Sequence, residues 1–329
     1  MSVLLRRVIA QTKVGFELAK AFATTLYTGN GTSQDVISNL DFVAKEGLVW
    51  IKNRDSVGRD HYLTDTVRGA TNTLLSNGTS AEFSNAQGLT TFNADGFSVG
   101  NHVSVNESLD GLVAWQFIEA AGFFDIVEYV GDGVAGRTVA LDLDDGTAVF
   151  GMSIVKSLDN GTHDWFVQHR SLGGTKYLNL NDTGAETTSG TIWENTDATP
   201  TLLTLGVNAQ LNGNTVRFIS YNFAHNPTKG IFCGIYVGTG AAGNKQTTTF
   251  PVGWVVIKRS SDVSDWDIYD VTRSGGSTLN KNLSANTTAA ESTFAAINSL
   301  SDGFDFTGGS FNVAGSTYIF MAIADPAQF

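Results

Sequence analysis

One cysteine, Cys233, stands in 329 residues. No disulfide can form within the chain, so packing and hydrogen bonds must carry its stability, and the thiol itself reads as inert and buried. Proline is nearly as scarce, at four residues, which excludes stiff proline-rich linkers between parts of the chain. Basic residues are short: 20 Lys and Arg against 32 Asp and Glu give a net charge of −12. That balance excludes the clustered cationic face a nucleic acid requires. No apolar run approaches the ~20 residues of a membrane-spanning helix. A signal peptide is not expected either, because Arg6 and Arg7 interrupt the first apolar run. Helical periodicity is almost missing after residue 25.

Chemical motifs are missing too. No nucleophile elbow, phosphate loop or dinucleotide fingerprint occurs. His163 and His169 are spaced His-x5-His without a cysteine companion, a poor zinc pattern. Asp142, Asp144 and Asp145 run into Gly146 but do not fit the twelve-residue calcium loop. A solvated turn is the preferred reading there, with bound calcium as the alternative. No catalytic residue, resident metal or cofactor is expected.

What the chain has is repetition. The frame L-x-x-N-x-T-x-A-E occurs as Leu74 to Glu82, Leu178 to Glu186 and Leu283 to Glu291. A period just over 100 residues is the size of a small domain. Each copy opens on Tyr-x-Gly-x-Gly, at Tyr27, Tyr129 and Tyr236, and continues through an apolar run to Lys52, Lys156 or Lys258. An Asp then leads to an Arg (Asp60 to Arg68, Asp164 to Arg170, Asp265 to Arg273), and an apolar segment closes the copy. With 42% hydrophobic residues, 36 Gly, and turn pairs such as Asn30-Gly31 and Asp132-Gly133, the composition is that of strands joined by tight hairpins. The expected organisation is an N-terminal arm over 1–25 and three antiparallel β-sandwiches over 26–125, 126–233 and 234–329. The joints carry no linker, so the three should pack together.

Two readings of the repeated polar residues are open. Asn77, Asn181 and Asn286, with Glu82, Glu186 and Glu291 and with Arg68, Arg170 and Arg273, form either a site present three times or a structural frame. The structural reading is preferred, with each Asn capping a turn. Ligand binding is then expected where the copies disagree: the loops Arg54 to Asp60, Asn160 to Trp165 and Ser260 to Trp266. Trp165 and Trp266, beside Asp164 and Asp265 and matched by His61, are the candidates for an exposed sugar-binding platform, against the alternative that they are core. The arm carries Arg6, Arg7, Lys13 and Lys20 against Glu17, so it is +3 while the remainder is −15. It reads either as a docking arm or as a segment packed on its own first unit.

By these blocks the chain resembles a family of tandem β-sandwich repeats in tailed-bacteriophage structural proteins, tail-fibre or lectin-like and of uncharacterised function. Tyr27 to Gly31, Trp266 to Arg273, Tyr318 to Ala324 and the run from His169 to Gly174 carry the resemblance, which covers about residues 26–325. It implies an all-β chain of three tandem jelly-roll or lectin-like sandwiches. The implied role is a virion structural protein, assembled in the host cytoplasm and exposed on the particle as a tail-fibre, receptor-binding or adhesion component. A capsid decoration protein or tail connector without ligand is the alternative, and a glycan depolymerase a distant one. The implied partners are other virion proteins, through the arm, and host-surface glycan. The assembly is expected to be a homotrimer, or a pseudo-threefold ring made by one chain.

Overall fold

The computed structural model describes residues 15–329. It is all-β, built from several antiparallel sheets, and each helical element among the described residues is one turn long. The three main sheets repeat one strand order. In the first, Phe22–Thr28, Gly111–Ile118, Gly47–Asn53, Tyr62–Asp65, Asn72–Leu75 and Phe83–Ser84 are successive neighbours. The second runs Phe124–Val130, Arg217–His225, Val149–Ser157, Phe166–His169, Lys176–Asn179 and Thr187–Thr188. The third runs Ile231–Val237, Thr317–Ala324, Val252–Arg259, Trp266–Asp270, Thr278–Ser284 and Ser292–Leu300, and continues into Gly303–Phe306 and Gln246–Thr247. Opening and closing strands lie side by side, with Phe22 opposite Phe117, Phe124 opposite Phe223 and Ile231 opposite Ile323. The end of one sheet therefore lies beside its own start, and a short turn such as the bridge from Ala120 to Phe124 is enough to begin the next.

This arrangement moves the expected arm boundary. The opening strand starts at Phe22, inside the segment assigned to the arm, and Leu18, Ala21 and Phe22 are buried. The end of the expected arm is thus part of the folded core: Phe22 fits against Phe117 of the first sheet and Trp254 of the third at ring-centroid distances of 5.2 and 6.2 Å. Arg6, Arg7 and Lys13 lie outside the described residues.

The strand Gly47–Asn53 is buried at every position. Leu48 and Trp50 enter a large core shared by all three sheets, while Val49 and Ile51 enter a second core with Leu89, Phe97 and Val99 of a three-stranded sheet. A strand covered on both faces needs a continuous apolar run rather than alternation. The shared core is where the sheets meet: Phe117 packs on Phe223 at 5.5 Å and on Trp254 at 6.0 Å, one ring from each sheet.

Tyr-x-Gly-x-Gly has a mechanical explanation. The Tyr27, Tyr129 and Tyr236 hydroxyls donate to the carbonyls of Val105, Leu211 and Phe311 at 2.6, 2.7 and 2.6 Å. The next residue in each case is a buried asparagine (Asn106, Asn212 or Asn312), whose Oδ1 accepts the amide of the residue between the two glycines (Asn30, Asp132 or Thr239) at 2.8, 3.0 and 2.8 Å. A Cβ at Gly29, Gly131 or Gly238 would lie 1.9, 2.2 or 2.1 Å from a backbone carbonyl oxygen. Gly31, Gly133 and Gly240 sit at φ of +69°, +71° and +76°, where glycine is favoured.

Candidate functional site

The repeated frame closes a ring. In all three copies the frame asparagine clasps the start of the neighbouring strand. Asn77 Oδ1 accepts the His61 amide, Asn181 Oδ1 the Trp165 amide and Asn286 Oδ1 the Trp266 amide, at 2.8 to 2.9 Å. The same side chains donate through Nδ2 to Asp60, Asp164 and Asp265 at 2.7, 2.9 and 2.7 Å. The frame glutamates then reach across. The amide of Glu82 donates to Leu158, that of Glu186 to Ser260, and that of Glu291 back to Arg54, at 2.9, 2.7 and 2.7 Å. First sheet binds second, second binds third, and third binds first.

The indoles follow the same cycle. Trp165 Nε1 donates to the carbonyls of Leu75 and Gly78, and Trp266 Nε1 to that of Asn179. At the third seam His61 takes the place of the indole. Burial pushes its pKa well below the usual histidine value, Lys52 adds to that, and the Ser284 backbone opposes it. Trp165, Trp266 and His61 are at most 2% exposed. The expected sugar platform is therefore corrected: these rings lock the sheets together and offer no face to solvent. Asp164 and Asp265 serve the asparagine clasps. The loops where the copies differ are also engaged at the seams, with Gly58 donating to Thr288 and Ser264 to Thr183.

Arg68 and Arg273 sit alike. Arg68 is held by Asp65 at 2.6 Å and Glu82 at 3.2 Å, and Arg273 by Asp270 at 2.5 Å and Glu291 at 3.2 Å. Each aspartate also takes a hydrogen bond from a foreign sheet, Tyr221 to Asp65 at 2.7 Å and Trp115 to Asp270 at 3.0 Å. Arg170 does not belong with them. Strand register sets Leu48 opposite Asp65, Met152 opposite His169 and Trp254 opposite Asp270, so the counterpart of Arg68 is Leu172. His169 replaces the aspartate and meets the Phe320 carbonyl at 3.2 Å. Glu186, with no arginine to hold, pairs with Lys176.

Arg170 is exposed, and of the described arginines it alone lacks a carboxylate partner. Its Nη1 lies 3.3 Å from His225 Nδ1 and 3.4 Å from the Cys233 carbonyl. Burial, and then Arg170 itself, lowers His225 to about 4, so this imidazole is neutral at pH 7 and can accept. A cleft lies on each side of Arg170. One, of about 310 Å³, has Phe150, Gln168, Asp197 and Pro200 on its walls. The other, of about 300 Å³, is walled by Phe232, Gly234, Gln246 and Phe320. Gln168 is 1% exposed; its Nε2 donates to Thr196 at 3.1 Å, and its Oε1 accepts nothing from the protein. No sequence pattern marked this place, because Arg170 resembled a member of the repeated frame.

Glu119 and Asp125 are hydrogen-bonded to each other; burial first, then that contact, raises Glu119 to about 8. Direct contact leaves no room between the acids for the ~5 Å separation of a retaining glycosidase. In the acidic loop, Asp145 Oδ1 accepts the amides of Thr147 and Ala148 at 2.9 and 2.8 Å, and its Oδ2 pairs with Lys229 at 2.8 Å. Among the described residues no group of three or more His, Cys, Asp or Glu is placed to hold a metal.

A search among curated proteins finds no match. The model of one family, described as a domain of unknown function (DUF7483), matches residues 18–326, a span that takes in all three sheets and the strand that opens the first. The chain belongs to that family.

Proposed function

We propose that the chain is a non-enzymatic structural module of a bacteriophage virion, exposed on the particle as a tail-fibre, receptor-binding or adhesion component. In this reading its three tandem β-sandwich repeats form a pseudo-threefold ring. The observation that carries it is the hydrogen-bond cycle Glu82 to Leu158, Glu186 to Ser260 and Glu291 to Arg54. A single chain supplies the three seams that a homotrimer would otherwise supply, and such a ring fits on a threefold axis of a larger assembly. Buried polar residues repeated in three copies are used to hold the ring rather than to perform chemistry. The segment that precedes the first sheet is the proposed tether to other virion proteins. The adhesion reading is preferred to bare capsid decoration because one copy alone carries an unpaired arginine between two clefts.

Light scattering on the purified full chain tests the ring: it should report the mass of one chain, and an obligate trimer would sink it. Antibody labelling of purified particles tests the location. Labelling at fibre tips or the tail supports adhesion, labelling over the head favours decoration, and absence from particles overturns both.

A further inference from the structure

We propose that the two clefts divided by Arg170 form one groove that binds an oligosaccharide bearing a carboxylate, such as a uronic- or sialic-acid glycan. This deepens the adhesion reading by naming the ligand class, and it rests on that reading only for where the ligand comes from. The guanidinium presents a planar fork suited to a carboxylate, and none of the described residues supplies one. Phosphate or sulfate would satisfy that fork equally well; the remaining walls decide. Gln168 is buried with an acceptor oxygen that no protein donor reaches. Its orientation is fixed, since turning the amide would set Oε1 against the Thr196 carbonyl now 3.1 Å from Nε2. Asp197 is anchored through Oδ1 by the Gly174 amide at 2.6 Å, and its second oxygen takes no hydrogen bond from the protein. Both acceptors can take hydroxyl donors; sulfate has none at neutral pH and inorganic phosphate only its acidic P–OH, whereas a sugar ring carries hydroxyls around its whole edge.

The groove also has apolar faces. Phe232 is half-buried and stacks on Phe320 at 5.9 Å and 9° between planes, while Phe150 and Pro200 wall the other cleft. Flat apolar patches beside hydroxyl acceptors and one cation match the C–H face, hydroxyls and carboxylate of an acidic sugar ring. Each cleft is at the lower end of the size of small-ligand sites, so each accommodates about one sugar unit. The site occurs once per chain. The positions matching Arg170 are Thr66, whose hydroxyl takes the Gly47 amide at 2.9 Å, and Val271.

Calorimetric titration of the full chain tests this, with tetragalacturonate and 3′-sialyllactose as acidic probes and maltotetraose as the neutral one. The expected result is saturable binding of at least one acidic probe at one site per chain, with maltotetraose at least tenfold weaker. Arg170→Ala should weaken the acidic probe at least tenfold, and Gln168→Glu should weaken it too, by placing a second anion in the groove. Arg170 is exposed, so the thermal midpoint of Arg170→Ala should match the parent and separate lost binding from lost folding. The proposal is overturned if neither acidic probe binds at millimolar concentration, if Arg170→Ala binds as tightly as the parent, or if inorganic sulfate displaces the sugar at equal concentration. None of these outcomes bears on whether the chain is found in particles, and its absence from particles would leave the titration unaffected.

Discussion

The backbone amide of Glu291 donates to the carbonyl of Arg54 at 2.7 Å, and the Arg54 guanidinium returns two hydrogen bonds to the Glu291 carboxylate at 2.9 and 2.8 Å. The two residues are 237 positions apart. This contact joins the last sheet to the first and turns a linear chain of three into a closed cycle. Glu291 also holds Arg273, so one carboxylate serves both its own sheet and the seam.

Glu291→Gln should therefore be costly. It leaves Arg273, with a fully buried side chain, and the largely buried Arg54 short of charge, and breaking such pairs costs about 3–5 kcal/mol. Glu186→Gln removes only a pairing with the more exposed Lys176, for about 0–1 kcal/mol. Urea unfolding of the two variants measures the contrast, and equal losses would remove the special role of the closing seam.

The asparagine clasp has a pH signature. Asn181→Asp sets a second carboxylate where Nδ2 now lies 2.9 Å from Asp164. Like charges at that distance hold one carboxyl protonated, so the variant should be destabilised at pH 7 and recover toward pH 4. Asn181→Ala instead leaves the Trp165 amide without its acceptor at every pH, at a cost of about 1–3 kcal/mol. Parallel pH dependence in the two variants would show that charge is not the cause.

Three lysines with no exposed surface give a stability slope at alkaline pH. Lys52, Lys156 and Lys258 donate to backbone carbonyls of Arg59, Asn160 and Ser264, and burial lowers each from 10.5 to about 8. Between these values the unfolded chain holds protons that the folded chain has released, so stability rises with pH, by up to about 1.4 kcal/mol per pH unit for each lysine. The buried Cys233 thiol is pushed up and keeps its proton in the fold, which opposes the gain above its unfolded value of 9.0. The clean window is therefore pH 8 to 9. Urea midpoints should rise across it, and Lys258→Met should flatten the slope by about a third; a level profile refutes the assignment.

Glu119 gives the opposite slope. Its folded value, near 8, lies above the ordinary 4.5 because of burial and then Asp125. From pH 4.5 to 8 the folded chain keeps a proton that the unfolded chain has lost, so this group's contribution falls as pH rises. Glu119→Gln keeps a donor for Asp125 and removes the titration. Its melting point should exceed the parent's at pH 7.5 and match it at pH 4; a deficit at pH 7.5 would show that the charged form is the one the fold prefers.

Local chemistry was legible in the sequence wherever a motif explains itself. Tyr-x-Gly-x-Gly marked a turn, because a Cβ at Gly29 would strike a backbone carbonyl and the φ of +69° at Gly31 favours glycine. The N-x-T-x-A-E frame marked structural asparagines, but instead of capping their own turns all three clasp the start of a neighbouring strand, 16 to 20 residues back along the chain. The partners of Tyr27, Tyr129 and Tyr236 were not legible. Their acceptors, the carbonyls of Val105, Leu211 and Phe311, lie 78, 82 and 75 residues away without a shared local pattern, and only strand pairing brings them back. Arg170 was misassigned for a related reason. Spacing along the chain counted it with Arg68 and Arg273, but register is set across the sheet, and Met152 opposite His169 shifts the match to Leu172.

The sequence alone determined that this chain is built of antiparallel strands in three similar copies and where its tight turns fall, because dihedral preference and apolar patterning act over a few residues. Tertiary structure decided that the copies close on one another, that Trp165, Trp266 and His61 are seam residues, and that an unpaired arginine stands between two clefts. Those outcomes depend on contacts between residues up to 237 apart, whose cost is shared by a whole core, and no local pattern encodes which surface a ring will bury.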